Sequence, residues 1–231
     1  MQCICKVHES ISKFLRKFKV EARIRQWLRT CTFKRFICNY FPIKLVKTTD
    51  LDPNKSYLFC NFPHGITCTG IWFAFGTDII GYHQLFPGIE IHSVDSNAES
   101  MNRILSMKPK APYTGRASVL MPGGAAEMME SKPGTYRVVT HRRKGFVRIA
   151  LRNGVPIVPV CSFGETDIYD TVIFPEGSLM KKIVIFIRKI IGIPPMILIG
   201  WGFFQNYFGI IPRRTPITVV GKYFNARSMY Q

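Results

Sequence analysis

The apolar positions first fall into a helical rhythm. Across residues 10–29, Ile11, Phe14, Leu15, Phe18 and Ala22, then Ile24, Trp27 and Leu28, recur every three or four positions. Lys13, Arg16, Lys17, Lys19 and Arg23 fill the other face. The pattern predicts a basic amphipathic helix, which either lies in a membrane interface or packs its stripe on the rest of the chain. Tyr40-Phe41-Pro42 breaks the rhythm, and a short strand at 43–46 runs into the turn Asp50-Leu51-Asp52-Pro53-Asn54. Tyr57-Leu58-Phe59-Cys60 then reads as a buried strand. It delivers Asn61-Phe62-Pro63-His64-Gly65 at its C-terminal end, where α/β sheets gather their chemistry.

Downstream, the pattern predicts a helix over 98–107, a strand over 117–121 ending in Pro122-Gly123-Gly124, and a helix over 145–153 closed by Gly154. Phe146, Val147, Ile149, Ala150 and Leu151 of that helix are expected to face inward. Residues 155–161 are so apolar that both faces of the strand should be covered, as parallel strands are. Strand, helix and strand in this order predict an α/β fold, with a mostly parallel central sheet flanked by helices. Two further stretches are apolar enough to touch lipid. Residues 66–80 are shorter than a span and hold Gly70, Gly76 and Asp78; residues 183–204 are broken by Arg188-Lys189 and Pro194-Pro195. The second is expected to form an interfacial or re-entrant surface, or buried core, rather than a simple transmembrane helix.

Length changes this picture little: 231 residues, 47% of them hydrophobic, suit one sizeable core. The chain divides into a basic amphipathic segment at 1–38 and a main domain at 39–231. Charge changes it more. Thirty-two Lys and Arg stand against 14 Asp and Glu, a net of +18, and residues 1–47 hold 12 of the basic residues against Glu9 and Glu21 alone. Such a chain wants an anionic partner. No zinc-finger spacing, basic zipper or RNA-binding aromatic signature accompanies the charge, so nucleic acid is not expected. An anionic membrane surface or a phosphate-bearing substrate fits the apolar remainder better. Seven cysteines with no C-x-x-C pair read as reduced thiols in the cytosol, and the N-terminal thirty residues lack the unbroken apolar run of a cleaved signal peptide.

Among five histidines His64 is singled out, because Pro63 stiffens the chain before it and Gly65 lets the backbone turn after it. A neutral imidazole there is a natural general base. Metal binding is the rival reading, since Cys60, His64 and Cys68 are spaced by four. Pro63 and Gly65 argue against the helix that would align them, and no second ligand pair follows, so no metal is expected. Cys161 could be a nucleophile, but nothing nearby in sequence would lower its pKa. Gly123-Gly124-Ala125-Ala126-Glu127 lets backbone N–H groups approach a ligand and sets a carboxylate at a helix start, without matching a nucleotide-phosphate loop. Arg142, Arg143 and Lys144 precede the helix beginning near Gly145, the wrong end for positive charge unless an anion binds there.

Taken in order, Tyr40-Phe41-Pro42, Phe62-Pro63-His64-Gly65, Phe86-Pro87-Gly88-Ile89, Gly123 to Glu127, Arg143 to Val147, Ser162-Phe163-Gly164-Glu165 and Val219-Val220-Gly221 resemble the type 2 diacylglycerol acyltransferase family. That family includes the 2-acylglycerol O-acyltransferases. The resemblance implies a glycerolipid-acyltransferase-like domain at 39–231, moving a fatty acyl group from acyl-CoA, as co-substrate, to a mono- or diacylglycerol with no cofactor. It implies the cytosolic face of the endoplasmic reticulum membrane or the lipid droplet, and homo- or hetero-oligomers with family members as partners. His64 would be the base, Glu127 its orienting carboxylate with Glu165 second, and the Gly123-Gly124 backbone the oxyanion donor. Arg142, Arg143, Lys144 and Gly145 would meet the phosphates of coenzyme A, and Pro63, Gly65 and Glu165 would support the site. Phe174-Pro175-Glu176-Gly177-Ser178 mimics a related block out of order and is expected to be a surface turn.

Departures accompany the resemblance. Phe62 stands where the family has a first histidine, Thr69 where related enzymes place an aspartate, and Gly200-Trp201-Gly202 where the family has Gly-Arg-Gly. The resemblance finds no counterpart for the family's N-terminal hairpin, for an internal stretch after residue 89 or for its C-terminal helix. The alternative expectation is therefore an impaired, truncated member acting as a membrane-bound regulatory partner.

Overall fold

The computed structural model describes residues 32–92, 98–141, 143–191, 194–204 and 209–222. The amphipathic segment predicted at 10–29 and residue Arg142 lie outside them.

Helix α1 (Thr32–Tyr40) leads into strand β1 (Ile43–Lys47). The boundary anticipated at 38/39 falls inside α1, whose end is tied to the domain: Cys38 is buried, and Tyr40 donates its hydroxyl to Pro212 O at 2.6 Å. Strand β2 (Ser56–Asn61) follows the turn, then helices α2 (Thr69–Gly76) and α3 (Tyr82–Leu85) and strand β3 (Ile89–His92). Helix α4 (Ala98–Ser106), strand β4 (Gly115–Leu120) and the short helix α5 (Gly124–Met128) come next. Helix α6 (Gly145–Asn153) and strand β5 (Ile157–Phe163) complete the central unit. Beyond them lie β6 (Asp170–Thr171), α7 (Leu179–Ile191), β7 (Leu198–Ile199) and β8 (Ile217–Gly221).

The described residues form a six-stranded sheet in the order β1-β8-β5-β2-β4-β3 and a two-stranded one of β6 and β7. The large sheet is parallel at every pairing except β5 with β8. This is the expected α/β architecture with a mostly parallel sheet. β2 lies at its centre because its side chains are apolar on both faces. Tyr57 and Phe59 join Phe75, Tyr82 and Phe86 under α2 and α3, while Leu58 and Cys60 join Met101, Leu105, Ile149 and Ala150 under α4 and α6. β4 is buried at every position and carries Arg116 with no exposure at all. That guanidinium donates to Glu90 Oε2 at 2.8 Å and to the carbonyls of Lys108 and Ile104, tying β3 and the end of α4 to β4.

Two expectations need correction, and a third had two alternatives. α6 begins and ends as predicted, with Gly154 at positive φ closing it, but it points only Ile149 and Ala150 fully inward. Val147 is 38% and Leu151 77% exposed, since one nine-residue helix on a sheet buries one stripe. β5 is covered on one face only: Val158, Val160 and Ser162 are buried, whereas Ile157, Pro159 and Cys161 are half-buried and Phe163 is exposed. Its neighbour β8 pairs antiparallel, so the rule for wholly parallel sheets does not govern this strand. Of the stretch 183–204, expected as exposed apolar surface or as buried core, the part in α7 is not core. α7 buries none of its described side chains, and Leu179, Ile183, Phe186 and Ile190 form an exposed stripe; Phe203, Phe204 and Ile210 are exposed as well. No helix among the described residues is long and apolar enough to cross a membrane. Residues 66–80, in contrast, fold inward through Ile71, Ala74 and Phe75 of α2. The 174–178 block is a surface turn.

Candidate active site

β5, β2 and β4 are adjacent and parallel, so the segments leaving their C-terminal ends emerge side by side. β2 is followed by Pro63, His64 and Gly65, β4 by Gly123, Gly124 and Glu127, and β5 by Gly164 and Glu165. Topology thus gathers residues far apart in the chain into one place, the crevice where open α/β sheets bind ligands.

His64 has no solvent exposure, and Glu127 only 2%. Glu127 Oε1 accepts the backbone N–H of His64 at 2.6 Å and stands 3.8 Å from Nε2 of its ring. Its other oxygen accepts the N–H of Val139 at 3.3 Å. The carboxylate therefore grips the histidine through its main chain and faces the ring electrostatically, without a hydrogen bond to it. The ring Nε2 lies 3.0 Å from the carbonyl of Gly124. A carbonyl only accepts, which assigns the proton to Nε2 and leaves the lone pair on Nδ1. Cys68 Sγ occupies that side at 3.2 Å. Burial holds the imidazole below its ordinary pKa, opposed by the Glu127 charge and the Gly124 contact, so the ring is neutral near pH 7.

The glycines have distinct reasons to be there. A Cβ on Gly123 would fall 2.1 Å from Glu127 Oε2, so the carboxylate occupies the space that any side chain would need. Gly65, at φ +63°, would place a Cβ 2.5 Å from Glu165 Cγ. Gly124 has open space around it, and the group it directs at His64 is its carbonyl rather than its N–H.

Glu165 lies against the start of α2 instead of the imidazole. It accepts the N–H groups of Thr69 and Gly70 at 2.6 Å each and the hydroxyl of Thr67 at 3.1 Å. Complete burial pushes its carboxyl up to about 7, against the pull of those donors. Arg143, Lys144 and Gly145 are exposed at the start of α6, outside the buried pair. Burial raises the thiol pKa of Cys60 to about 12 and also raises that of Cys161, so neither is poised as a thiolate. Cys60 packs on the α4 and α6 side, and no three metal-ligating side chains converge among the described residues.

Sequence reasoning missed two residues. Cys68 was weighed only as a metal ligand; its helical offset of four from His64 was the signal, but a left-handed backbone at φ 56° is what turns the thiol to the ring. Asn61 is fully buried; its Oδ1 accepts from Ser162 while its Nδ2 has no partner, and a strand-terminal Asn before Phe62-Pro63 was its only mark.

The fold and the buried pair define an α/β protein with a neutral histidine and a carboxylate at the joined ends of parallel strands. The family model described as diacylglycerol acyltransferase matches residues 10–94 and 90–228, and the chain belongs to that family. It is 37% identical to diacylglycerol O-acyltransferase 2 of Xenopus laevis, over 86% of this chain and 60% of the relative. Against 2-acylglycerol O-acyltransferase 3 of Homo sapiens the identity is 36%, over 86% and 63%; against 2-acylglycerol O-acyltransferase 1 of Bos taurus it is 35%, over 87% and 65%. The chain thus spans about three fifths of the length of these curated relatives. No solved structure matches it significantly.

Proposed function

We propose that the chain is an O-acyltransferase that moves a fatty acyl group from acyl-CoA to the hydroxyl of a mono- or diacylglycerol at a membrane surface. The observation that carries this reading is the neutral, buried His64 held by Glu127, in a family whose relatives bear the names of both acceptors. The imidazole takes the proton of the acceptor hydroxyl as its oxygen attacks the thioester carbonyl. The C–O bond forms, the C–S bond breaks, and the coenzyme A thiolate leaves with the proton returned from the imidazolium. No covalent enzyme intermediate is required. Charge on the thioester oxygen is met by the N–H groups of Gly123 and Gly124, in the segment that leaves β4 beside His64.

Both ring nitrogens are occupied in this structure, so the substrate hydroxyl must replace one contact. The thiol of Cys68 is the weaker partner and sits on the lone-pair nitrogen. The phosphates of coenzyme A fall to the basic loop before α6, where Arg143 and Lys144 are solvent-facing. Membrane contact, at the endoplasmic reticulum or the lipid droplet, is supported by the exposed stripe of α7 beside exposed Lys182 and Lys189.

The test is transfer of labelled acyl groups from acyl-CoA to each acylglycerol by the membrane-reconstituted protein and by His64→Ala. Product that depends on His64 is expected; no such product with any neutral acceptor would overturn the reading. A second reading, an impaired member that serves as a partner, is favoured by the complete burial of His64 and by the junction of the two matched segments at 90–94. It predicts co-purification with a longer family enzyme, unchanged by His64→Ala and without turnover of its own.

A further inference from the structure

His64 and Glu127 are shut off from solvent. His64 has no exposure at all, and its ring nitrogens face the carbonyl of Gly124 and the thiol of Cys68. No acceptor hydroxyl reaches the imidazole until something moves. A strap at 135–140 lies against the pair, because the N–H of Val139 donates to Glu127 Oε2. It is lightly held: it has no regular secondary structure, and Tyr136, Arg137 and Val138 are exposed. Its near end is pinned at Gly134, whose N–H donates to Asp167 Oδ1 at 2.6 Å. Few buried contacts and an exposed backbone mark a segment that opens at small cost.

Glu130 joins this strap to α7. One of its oxygens lies 3.3 Å from Arg137 Nη1 and the other 3.6 Å from Lys181 Nζ, which also pairs with Glu176. One residue earlier, Met129 Sδ accepts from Arg188 Nη1 at 3.4 Å. Two cations of α7 thus grip the two residues that follow α5, the helix that carries Glu127. α7 itself is loosely seated. Leu179, Ile183, Phe186 and Ile190 are exposed, and Val184, Ile185 and Ile187 are only half-buried. The helix holds Lys181, Lys182, Arg188 and Lys189 and no acid. An anionic lipid surface matches both its apolar stripe and its charge. Such a surface also binds the released helix better than the seated one, since release frees Val184 and Ile187 for burial and Lys181 and Arg188 for headgroups. A difference in affinity of this kind is what shifts a conformational equilibrium.

We propose that α7 is a lipid-sensing latch. Away from a membrane it holds α5 and the strap closed over His64; docking on an anionic lipid surface draws it off Met129 and Glu130 and opens the site. The latch rests on the function proposed above only for what the opened site then does, and it names the membrane surface as the regulator of that site. A transferase built this way is active only where a water-insoluble acceptor is at hand, and elsewhere it leaves acyl-CoA unhydrolysed.

The experiment reads His64 directly, as the rate at which diethyl pyrocarbonate modifies it in the whole chain, mapped by mass spectrometry. His83, whose side chain is 36% exposed, is the internal reference. Vesicles of phosphatidylcholine and phosphatidylserine should raise the His64 rate at least about tenfold, the change expected when a state populated at about 10% or less becomes the main one. Dihexanoylphosphatidylcholine below its micelle concentration, and octanoyl-CoA without vesicles, should leave the rate low. The double substitution Ile183→Gln, Phe186→Gln should abolish the rise. Glu130→Gln, at a side chain 28% exposed, should bring the rate in buffer close to the vesicle value while vesicle binding stays as strong. Lys181→Met breaks the same contact, keeps the apolar stem and should also open the site in buffer. A His64 rate equal with and without vesicles, a rise produced as well by monomeric lipid or octanoyl-CoA, a rise that survives loss of the α7 stripe, or a His64 still protected in buffer in the folded Glu130 and Lys181 variants would each overturn the latch. His64 opened by vesicles without acyl transfer to any acylglycerol would keep the latch and count against the transferase reading instead.

Discussion

At the scale of single residues the site is a problem of protonation and contact. His64 is held neutral by burial, so its pKa lies below the ordinary imidazole value of about 6.5. A base with a depressed pKa stays competent at lower pH. The acid limb of kcat/KM is therefore expected below pH 6.5, and a limb at or above that value would show that the ring is solvated in the working enzyme. The same depression means that stability is intact above the unfolded imidazole's pKa and is lost as pH falls toward the folded value. Cys68 supplies a second residue-scale expectation. Serine in its place would hold Nδ1 more firmly, so Cys68→Ser should lower turnover by more than Cys68→Ala, while both keep a backbone at φ 56°. Equal turnover in the two variants would remove the thiol from the list of groups that the substrate displaces.

At the scale of elements the loops after β2, β4 and β5 are fastened by two buried carboxylates. Gly123→Ala should drive Glu127 off the N–H of His64, because its Cβ has no room beside Oε2. The expected cost is about 1–3 kcal/mol of stability, read in denaturant melts, with turnover lost along with it. Glu165 adds a pH signature. Its carboxyl is raised from 4.5 to about 7, so the folded state holds a proton that the unfolded state releases earlier. Stability relative to Glu165→Gln should decline as pH rises from about 4.5 through about 7 and level off above. A flat difference across that window would mean that the N–H donors of Thr69 and Gly70 outweigh burial. The strands and helices that present these loops were legible in the sequence, because apolar runs and the Gly154 stop are local signals. Partnership was not. That Glu127 would bind the main chain of His64, that Glu165 would cap α2, and that Arg116 would be wholly buried against Glu90 all depend on strand order, which periodicity does not encode. The open face of β5 is missed for the same reason: an apolar pattern reports what a face prefers to touch, not which element covers it.

At the scale of the whole molecule, a net positive charge accompanies exposed apolar surface. The net charge of +18 comes from a shortage of acids, and the exposed apolar stripe on α7 lies with Lys182 and Lys189 in the same helix. Binding to vesicles should therefore have two separable parts. Adding salt should weaken attraction to anionic vesicles by screening the exposed cations over roughly 10 Å. Replacing Ile183 and Phe186 by Gln should weaken binding at every salt concentration, because that part is burial of apolar area. The basic loop before α6 belongs to the charged part but, under the function proposed above, serves the acyl-CoA donor. Arg143 and Lys144 are exposed, so neutralising both should raise the KM for acyl-CoA modestly at low salt and hardly at all at high salt, while the KM for the acylglycerol, which carries no phosphate, stays put. Vesicle binding by that double variant should fall less than by the α7 variant. If instead the two substitutions weaken vesicle binding and leave the KM for acyl-CoA intact at low salt, the loop is a lipid-headgroup contact and the phosphates of coenzyme A bind elsewhere.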